Sequence, residues 1–300
     1  MTRLDRSTLH GFVPAVVTPF AADGSIVDAD FKTLVERLIA CGATGICVAG
    51  DNGESWNLSI DERAHLTRLA VEAAAGRVPI ITGVSAPSAQ QTIAYAKAAD
   101  AAGAAAVLAM PQTYVIKATR EELVARFSRL SDATDIPVIL YNSPRRTQIE
   151  LSLADIDAIM GCVPVIGIKE SHRDFFHLTH LIEQFAERMA IMVGPSHYIL
   201  PGIALGAAGF IATGPELLGA KAGEITAIAR QAPSAESAHL HFQLTALYEL
   251  LMGTGTWPSS FKAALNLLGW PAGIPRDPVL PIAGPALQAI EKRLGELGLR

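Results

Sequence analysis

The stretch VIGIKESHRD (residues 165–174) drives a run of Val and Ile straight into Lys169 and Glu170, and then into a polar segment with His172 and Arg173. An apolar run that does not alternate reads as a parallel strand covered on both faces, since alternation marks a sheet with one wet side. Seven more runs share this character: VPAVVTPF (13–20), GICVAGDNGE (45–54), VPIITGVS (78–85), AAVLAMP (105–111), IPVILYNSP (136–144), AIMVGPSH (190–197) and GFIATGPE (209–216). Each carries about four to six apolar residues before it turns polar.

Helical segments lie between them. DADFKTLVERLIACG (28–42) sets Phe31, Leu34, Val35, Leu38 and Ile39 on one face and stops at Gly42. Ser59 with Glu62, Ser88 with Gln91, and Thr119 with Glu122 are capping-box patterns that open further helices. Parallel neighbours need helical crossovers, and eight such units close a sheet, so the fold expected is an α/β (β/α)8 TIM barrel. An open doubly wound sheet is the rival, but VVTPFAADGS (16–25) lacks G-x-G-x-x-G after the first strand and no P-loop is present.

Past residue 222 helical patterns take over, in GEITAIARQ (223–231), SAHLHFQLTALYELLM (237–252), FKAALNLLG (261–269) and PALQAIEKRLGELG (285–298). The expected organisation is a barrel over 1–222 carrying the active site and a helical extension over 223–300. The 300 residues are 50% hydrophobic and 18% charged, with mean hydropathy +0.31, which is ample for one large core.

Net charge is −5, and no run of Lys and Arg offers a footprint for nucleic acid. No segment reaches about 18 apolar residues and the start lacks a signal h-region, so neither membrane insertion nor secretion is expected. Cys41, Cys47 and Cys162 match no zinc or disulfide spacing, which points to a cytoplasmic setting.

In a (β/α)8 barrel the chemistry collects at the C-terminal strand ends. The residues there are Thr18; Asp51, Asn52, Gly53 and Glu54; Ser85; Gln112, Thr113 and Tyr114; Tyr141 and Asn142; Lys169 and Glu170; Ser196 and His197; and Thr213. Lys169 stands directly on a strand end, where burial is expected to lower its pKa and free an amine that attacks ketones. A structural ion pair with Glu170 is the alternative. Tyr141 ends the preceding strand, within reach for proton shuttling, or it is an ordinary tyrosine with its hydroxyl in water. The turn in GDNGES (50–55) can present backbone N–H groups to a carboxylate, and an arginine of YNSPRRT (141–147) can clamp a second one. His177 and His180 share a helix face, but without H-E-x-x-H they make a weak case for a metal, and no G-x-S-x-G supports a serine hydrolase.

Taken together, VVTPF, GDNGES followed by LSIDER, GRVPIITGVS, YNSPRRT and GIKES resemble the dihydrodipicolinate synthase and N-acetylneuraminate lyase superfamily, as do FKAALNLLG and RDPVLPI near the C-terminus. The resemblance implies Schiff-base chemistry on pyruvate or another 2-oxo acid, with no metal or organic cofactor beyond the covalent imine on Lys169. It implies a homotetramer or homodimer. Lys169 matches the imine-forming lysine and Tyr141 the proton-shuttling tyrosine. Asn52 and Gly53 match the positions holding the 2-oxo acid carboxylate, Arg146 the arginine that helps bind the second substrate, and Ile211 a residue lining the pocket.

The chain departs from the pattern at two places. Asp51 and Asn52 stand where dihydrodipicolinate synthases usually have two threonines, and PQTYVIKA (111–118) puts Gln112 and Thr113 where two tyrosines are expected, with Tyr114 as a replacement only if the loop shifts. The changes fall on the second-substrate side. The expected function is therefore an aldolase or dehydratase of a 2-oxo acid, such as a sugar acid recognised by Asp51, Asn52, Gln112 and His197. The alternatives are 4-hydroxy-tetrahydrodipicolinate synthase itself and a non-catalytic binding homologue.

Overall fold

A computed structural model describes residues 3–300. Eight strands form one parallel sheet: β1 (Gly11–Phe12), β2 (Ile46–Val48), β3 (Ile80–Gly83), β4 (Ala106–Ala109), β5 (Val138–Asn142), β6 (Val165–Glu170), β7 (Ala190–Val193) and β8 (Gly209–Phe210). Helices α1 (Asp28–Ala40), α2 (Ile60–Ala74), α3 (Ala89–Ala101) and α4 (Arg120–Ala133) connect the first five strands. The short α5 (Pro144–Thr147) and α6 (Leu153–Met160) lie between β5 and β6, and α7 (Phe175–Phe185) and α8 (Ile199–Ala204) follow β6 and β7. The sheet runs in the order β1-β8-β7-β6-β5-β4-β3-β2, and the parallel bridge Ala15↔Cys47 closes it into a barrel.

The first strand differs from its expected extent. The run 13–20 forms no continuous strand. Pairing begins earlier, at Gly11 and Phe12 against β8, and residues 14–16 then cross to β2, with Cys47 N donating to Pro14 O and Val16 N to Cys47 O. The segment sits between both neighbours, since Phe12 O already accepts from Thr44 N on the β2 side while Val13 N donates to Phe210 O, and Pro14, with no N–H, leaves one donor out of the ladder toward β2. Where β1 meets β8 the backbones are so close that a Cβ on Gly209 would fall 2.2 Å from Gly11 O, so only glycine fits.

The apolar runs are continuous because alternate residues serve two cores. Ile139 and Tyr141 of β5 point into the barrel with Ile81, Leu108, Met192 and Ile211, while Val138 and Leu140 face the helices. Lys169 is the cross-strand partner of Tyr141, so it too turns inward at the last step of β6.

Both Ser59–Glu62 and Thr119–Glu122 form reciprocal capping boxes. At α3 only half forms: Ser88 accepts from the Gln91 N–H, but the Gln91 side chain donates to Tyr95 Oη instead.

The remaining helices are α9 (Lys221–Ala229), α10 (Ala235–Gly253), α11 (Ser259–Leu267) and α12 (Gly284–Glu296). Helix α9 packs on β1 and α8, and its Gly223 touches Gly42 backbone to backbone. It therefore takes the place of the eighth barrel helix, and the sequence-based boundary at 222 falls inside it. Helix α10 packs over the turn Ser196–Tyr198 after β7, which brings its side chains to the barrel mouth. Among the described residues no helix is long and apolar enough to cross a membrane.

Candidate active site

Lys169 and Tyr141 meet at the C-terminal rim, where β5 and β6 are the longest strands and stay in register to their last pair, Asn142 and Glu170. Lys169 is 7% exposed and Tyr141 5%, and Lys169 Nζ sits 4.3 Å from the centre of the Tyr141 ring. Glu170 does not pair with the lysine. Its carboxylate accepts from Asn142 Nδ2 and the His172 N–H and lies 3.3 Å from His177 Nε2.

The loop after β2 turns sharply, with Ala49 and Glu54 both in the left-handed region. Glu54 N donates to Asp51 O and Ser55 N to Gly50 O, leaving the N–H groups of Gly50, Asp51, Asn52 and Gly53 without an acceptor among the described residues. Successive free donors, Asn52 and Gly53 among them, suit a nest for a carboxylate. The side chain of Asn52 is committed elsewhere, donating to Ala15 O and exchanging hydrogen bonds with Thr213 Oγ1. Asp51 receives Tyr141 Oη–H and Arg146 Nε–H on the same oxygen, each at 3.1 Å.

Charge in this cluster departs from the sequence expectation. Burial pushes the Lys169 ammonium down, but Tyr141, Cys47 and Asp51 together outweigh it, so Lys169 stands above its ordinary value. Burial and Asp51 raise Tyr141, and burial raises the Cys47 thiol to about 11. At neutral pH the resting site therefore holds an ammonium beside a neutral phenol and a thiol. The direction is opposite to the one expected, because the groups that raise Lys169, Tyr141 first and then Cys47 and Asp51, come from separate segments that spacing does not bring together.

A cavity of about 70 Å³ opens here, and Asp51, Asn52, Tyr141, Arg146, Lys169 and Ile211 line it, as expected of site residues, together with Thr213. Gly53 sits behind it, its carbonyl bonded by Thr18 Oγ1. Gln112, Thr113, Tyr114 and His197 do not line it. Tyr114 is 92% exposed, so within this chain it does not replace the missing tyrosines, and His197 packs with tilted rings against Tyr198 and Tyr248.

Sequence reading passed over Ser143, Ser171, Tyr248, Met252 and Trp257, all of which line the cavity, as does Arg145, the other arginine of YNSPRRT. Ser143 and Ser171 lie one residue beyond the strand ends and could have been found there; Tyr248, Met252 and Trp257 carried no signal. His177 and His180 do not converge on a metal position: His177 faces Glu170 and Glu150, whereas His180 faces Glu183. Beneath the loop, Lys262 of α11 donates to Glu54 Oε1, Thr18 O and Ile274 O, tying the C-terminal helices to the rim.

The model of the Dihydrodipicolinate synthetase family matches residues 8–297. A 4-hydroxy-tetrahydrodipicolinate synthase of Sorangium cellulosum is 36% identical over 299 residues, covering 97% of each chain. An uncharacterized DapA-like lyase of Pyrobaculum aerophilum is 31% identical over 97% of this chain and 99% of its own. Among solved structures, the dihydrodipicolinate synthase of Acinetobacter baumannii complexed with pyruvate superposes with a TM-score of 0.91 at 28% identity, covering 97% of this chain and 100% of that one.

Proposed function

The chain belongs to the dihydrodipicolinate synthetase family, a family of lyases, and on that premise we propose that it captures pyruvate or another 2-oxo acid as an imine on Lys169. The observation that carries this reading is the buried cross-strand pair of Lys169 and Tyr141 on one cavity. A primary amine joined to a keto carbon gives a protonated imine, which draws in the electrons of a neighbouring C–C or C–O bond as it breaks. That covalent sink is the only cofactor the reaction needs. The free N–H groups of Asn52 and Gly53 suit the 2-oxo acid carboxylate, and Arg146 at the rim suits an anionic group on the second substrate.

Recognition of sugar hydroxyls by Asp51, Asn52, Gln112 and His197 is not supported by their placement. Asp51 and Asn52 are engaged within the protein, and the other two lie off the cavity. Ser143, Arg145, Ser171 and Tyr248 are the polar groups at hand for the second substrate. The second reading, 4-hydroxy-tetrahydrodipicolinate synthase condensing pyruvate with aspartate semialdehyde, is favoured by the name of the Sorangium relative. A homotetramer or homodimer in the cytoplasm accompanies either reading, in keeping with the free thiols of Cys41, Cys47 and Cys162.

Incubation with pyruvate, reduction with borohydride and weighing of the intact protein tests the imine. An adduct at Lys169 is expected, and its absence with pyruvate and with every other 2-oxo acid tried would reject the reading. A panel of 2-oxo acids and aldehydes, aspartate semialdehyde included, then separates the two readings. An adduct with turnover on none of them would leave a binding homologue.

A further inference from the structure

The two sides of the rim are held in different ways. On one side β5 and β6 pair over five positions up to Asn142 and Glu170, so the ladder itself fixes Tyr141 and Lys169. On the other side β1 pairs with β8 only at Gly11–Gly209 and Phe12–Phe210, and it shares with β2 the isolated bridge Ala15–Cys47. The loop with the free N–H groups of Asn52 and Gly53 stands on this thinly paired side. Imine formation needs both sides in place at once, since the keto carbon must meet Lys169 while the carboxylate rests in the nest.

Side chains supply what the ladder lacks there. Asn52 is 4% exposed, and its Nδ2 donates to Ala15 O at 2.8 Å and to Thr213 Oγ1 at 2.7 Å. Thr213 Oγ1 donates back to Asn52 Oδ1 at 3.0 Å, and Thr213 O accepts from the buried Ser196 Oγ at 2.6 Å. The bonds run from the turn after β7 to the end of β8, then to the loop after β2 and the end of β1. Thr18 Oγ1 adds a further tie by donating to Gly53 O at 2.8 Å. Thr213 joins the two halves of this belt, because Ser196 holds its carbonyl and its hydroxyl holds Asn52.

We propose that Thr213 is a positioning residue: through the Asn52 side chain it holds the Asn52 and Gly53 N–H groups where the carboxylate of a 2-oxo acid binds. This inference rests on the imine reading above. Thr213 lines the cavity, but its hydroxyl is engaged with Asn52 both as donor and as acceptor, so it acts through that amide and not on the substrate. Thr213→Val removes the hydroxyl and keeps the branched shape. The buried Asn52 amide then loses one acceptor and one donor, and as it turns to other partners the two N–H groups of the loop move with it. Lys169 and Tyr141 take no part in either bond, so the attacking nitrogen keeps its surroundings.

The test is borohydride trapping of pyruvate, or of the 2-oxo acid that the wild type does trap, over a range of concentrations, read by timed quench and intact mass. Wild type, Thr213→Val and Thr213→Ser are compared, with the half-saturating concentration and the limiting rate measured separately. Thr213→Val should raise the half-saturating concentration about tenfold and leave the limiting rate within about twofold, because a displaced nest weakens carboxylate binding and spares the amine. Thr213→Ser keeps the hydroxyl and should stay near wild type. Should Thr213→Val fail to fold by circular dichroism, Asn52→Ala, which keeps both N–H groups and cuts the same link, takes its place with the same expectation. An unchanged half-saturating concentration, a limiting rate that falls as far as the half-saturating concentration rises, or Thr213→Ser behaving like Thr213→Val would overturn the inference and leave the imine reading standing. No adduct on the wild type with any 2-oxo acid tried would overturn both.

Discussion

Lys262 Nζ lies 2.5 Å from Glu54 Oε1, and neither side chain reaches solvent. Glu54 also accepts the Arg276 N–H on its other oxygen, so one carboxylate holds α11, the 276 segment and the loop that carries Asp51. Burial lowers Lys262 to about 8, with Glu54 opposing the fall. Removing one partner of a buried pair strands a charge, so Lys262→Met should cost roughly 3–5 kcal/mol in denaturant unfolding. Lys262→Met combined with Glu54→Gln should cost less than Lys262→Met alone, because no bare carboxylate remains. A single variant within about 1 kcal/mol of wild type would show that the pair is not the clamp described.

Lys169→Arg keeps a positive charge, but a guanidinium stays protonated and cannot form an imine. The variant should fold, bind 2-oxo acids weakly, and give no adduct after borohydride. Retained turnover on any substrate of the wild type would remove Lys169 from the chemistry.

Tyr141→Phe takes away the one hydroxyl between Lys169 and Asp51 while keeping the ring against the lysine. Turnover should fall by about 10² to 10⁴, with little change in thermal unfolding. Unchanged kcat would mean that protons reach Lys169 by another route.

The two residues at the heart of this site were legible because a strand end is a local signal: an apolar run stops, and the next inward position is Lys169 on β6 or Tyr141 on β5. The barrel was legible for the same reason, eight times over. What spacing could not convey is contact between distant segments. Asp51 pairs with Arg146 across 95 positions of sequence, and Tyr141, Cys47 and Asp51, brought together from three separate segments, reverse the expected direction of the Lys169 shift. Tyr248 reaches the cavity from α10, whose sequence gives only a helical period, and Trp257 from the turn between α10 and α11.

His177 is the next case where distant groups set a local property. Burial lowers its pKa, but Glu170, Glu150 and Asp174 more than offset this, so the imidazolium is favoured in the folded state. A His whose folded pKa lies above its unfolded value of 6.5 adds stability that is fully present below that value and is lost as pH rises through the folded one. His177→Gln should therefore be less stable than wild type by roughly 1–2 kcal/mol at pH 5.5, and the gap should close in alkaline buffer. Unfolding curves at several pH values check this, and a gap that stays constant would deny His177 any linked titration. Because Glu170 follows Lys169, the same protonation steadies the end of β6.

Glu216 makes the opposite case. It is buried against Val16, Leu34, Phe261 and Trp270, and burial outweighs the backbone N–H groups of Glu216 itself and of Gly214, so its carboxyl rises from 4.5 to about 8. The folded protein thus holds a proton that the unfolded chain has already released above pH 4.5. Stability is then highest below 4.5, falls as pH rises toward 8 by up to roughly 1.4 kcal/mol per unit, and levels off beyond. Glu216→Gln keeps an acceptor for Gly214 and removes the titration, so it should gain on wild type steadily between pH 5 and pH 8. Urea unfolding of both proteins at the two ends of that window reads the difference directly. An advantage of the same size at both ends would mean that Glu216 is ionised in the folded protein and finds its compensation elsewhere in the wall between α1 and α11.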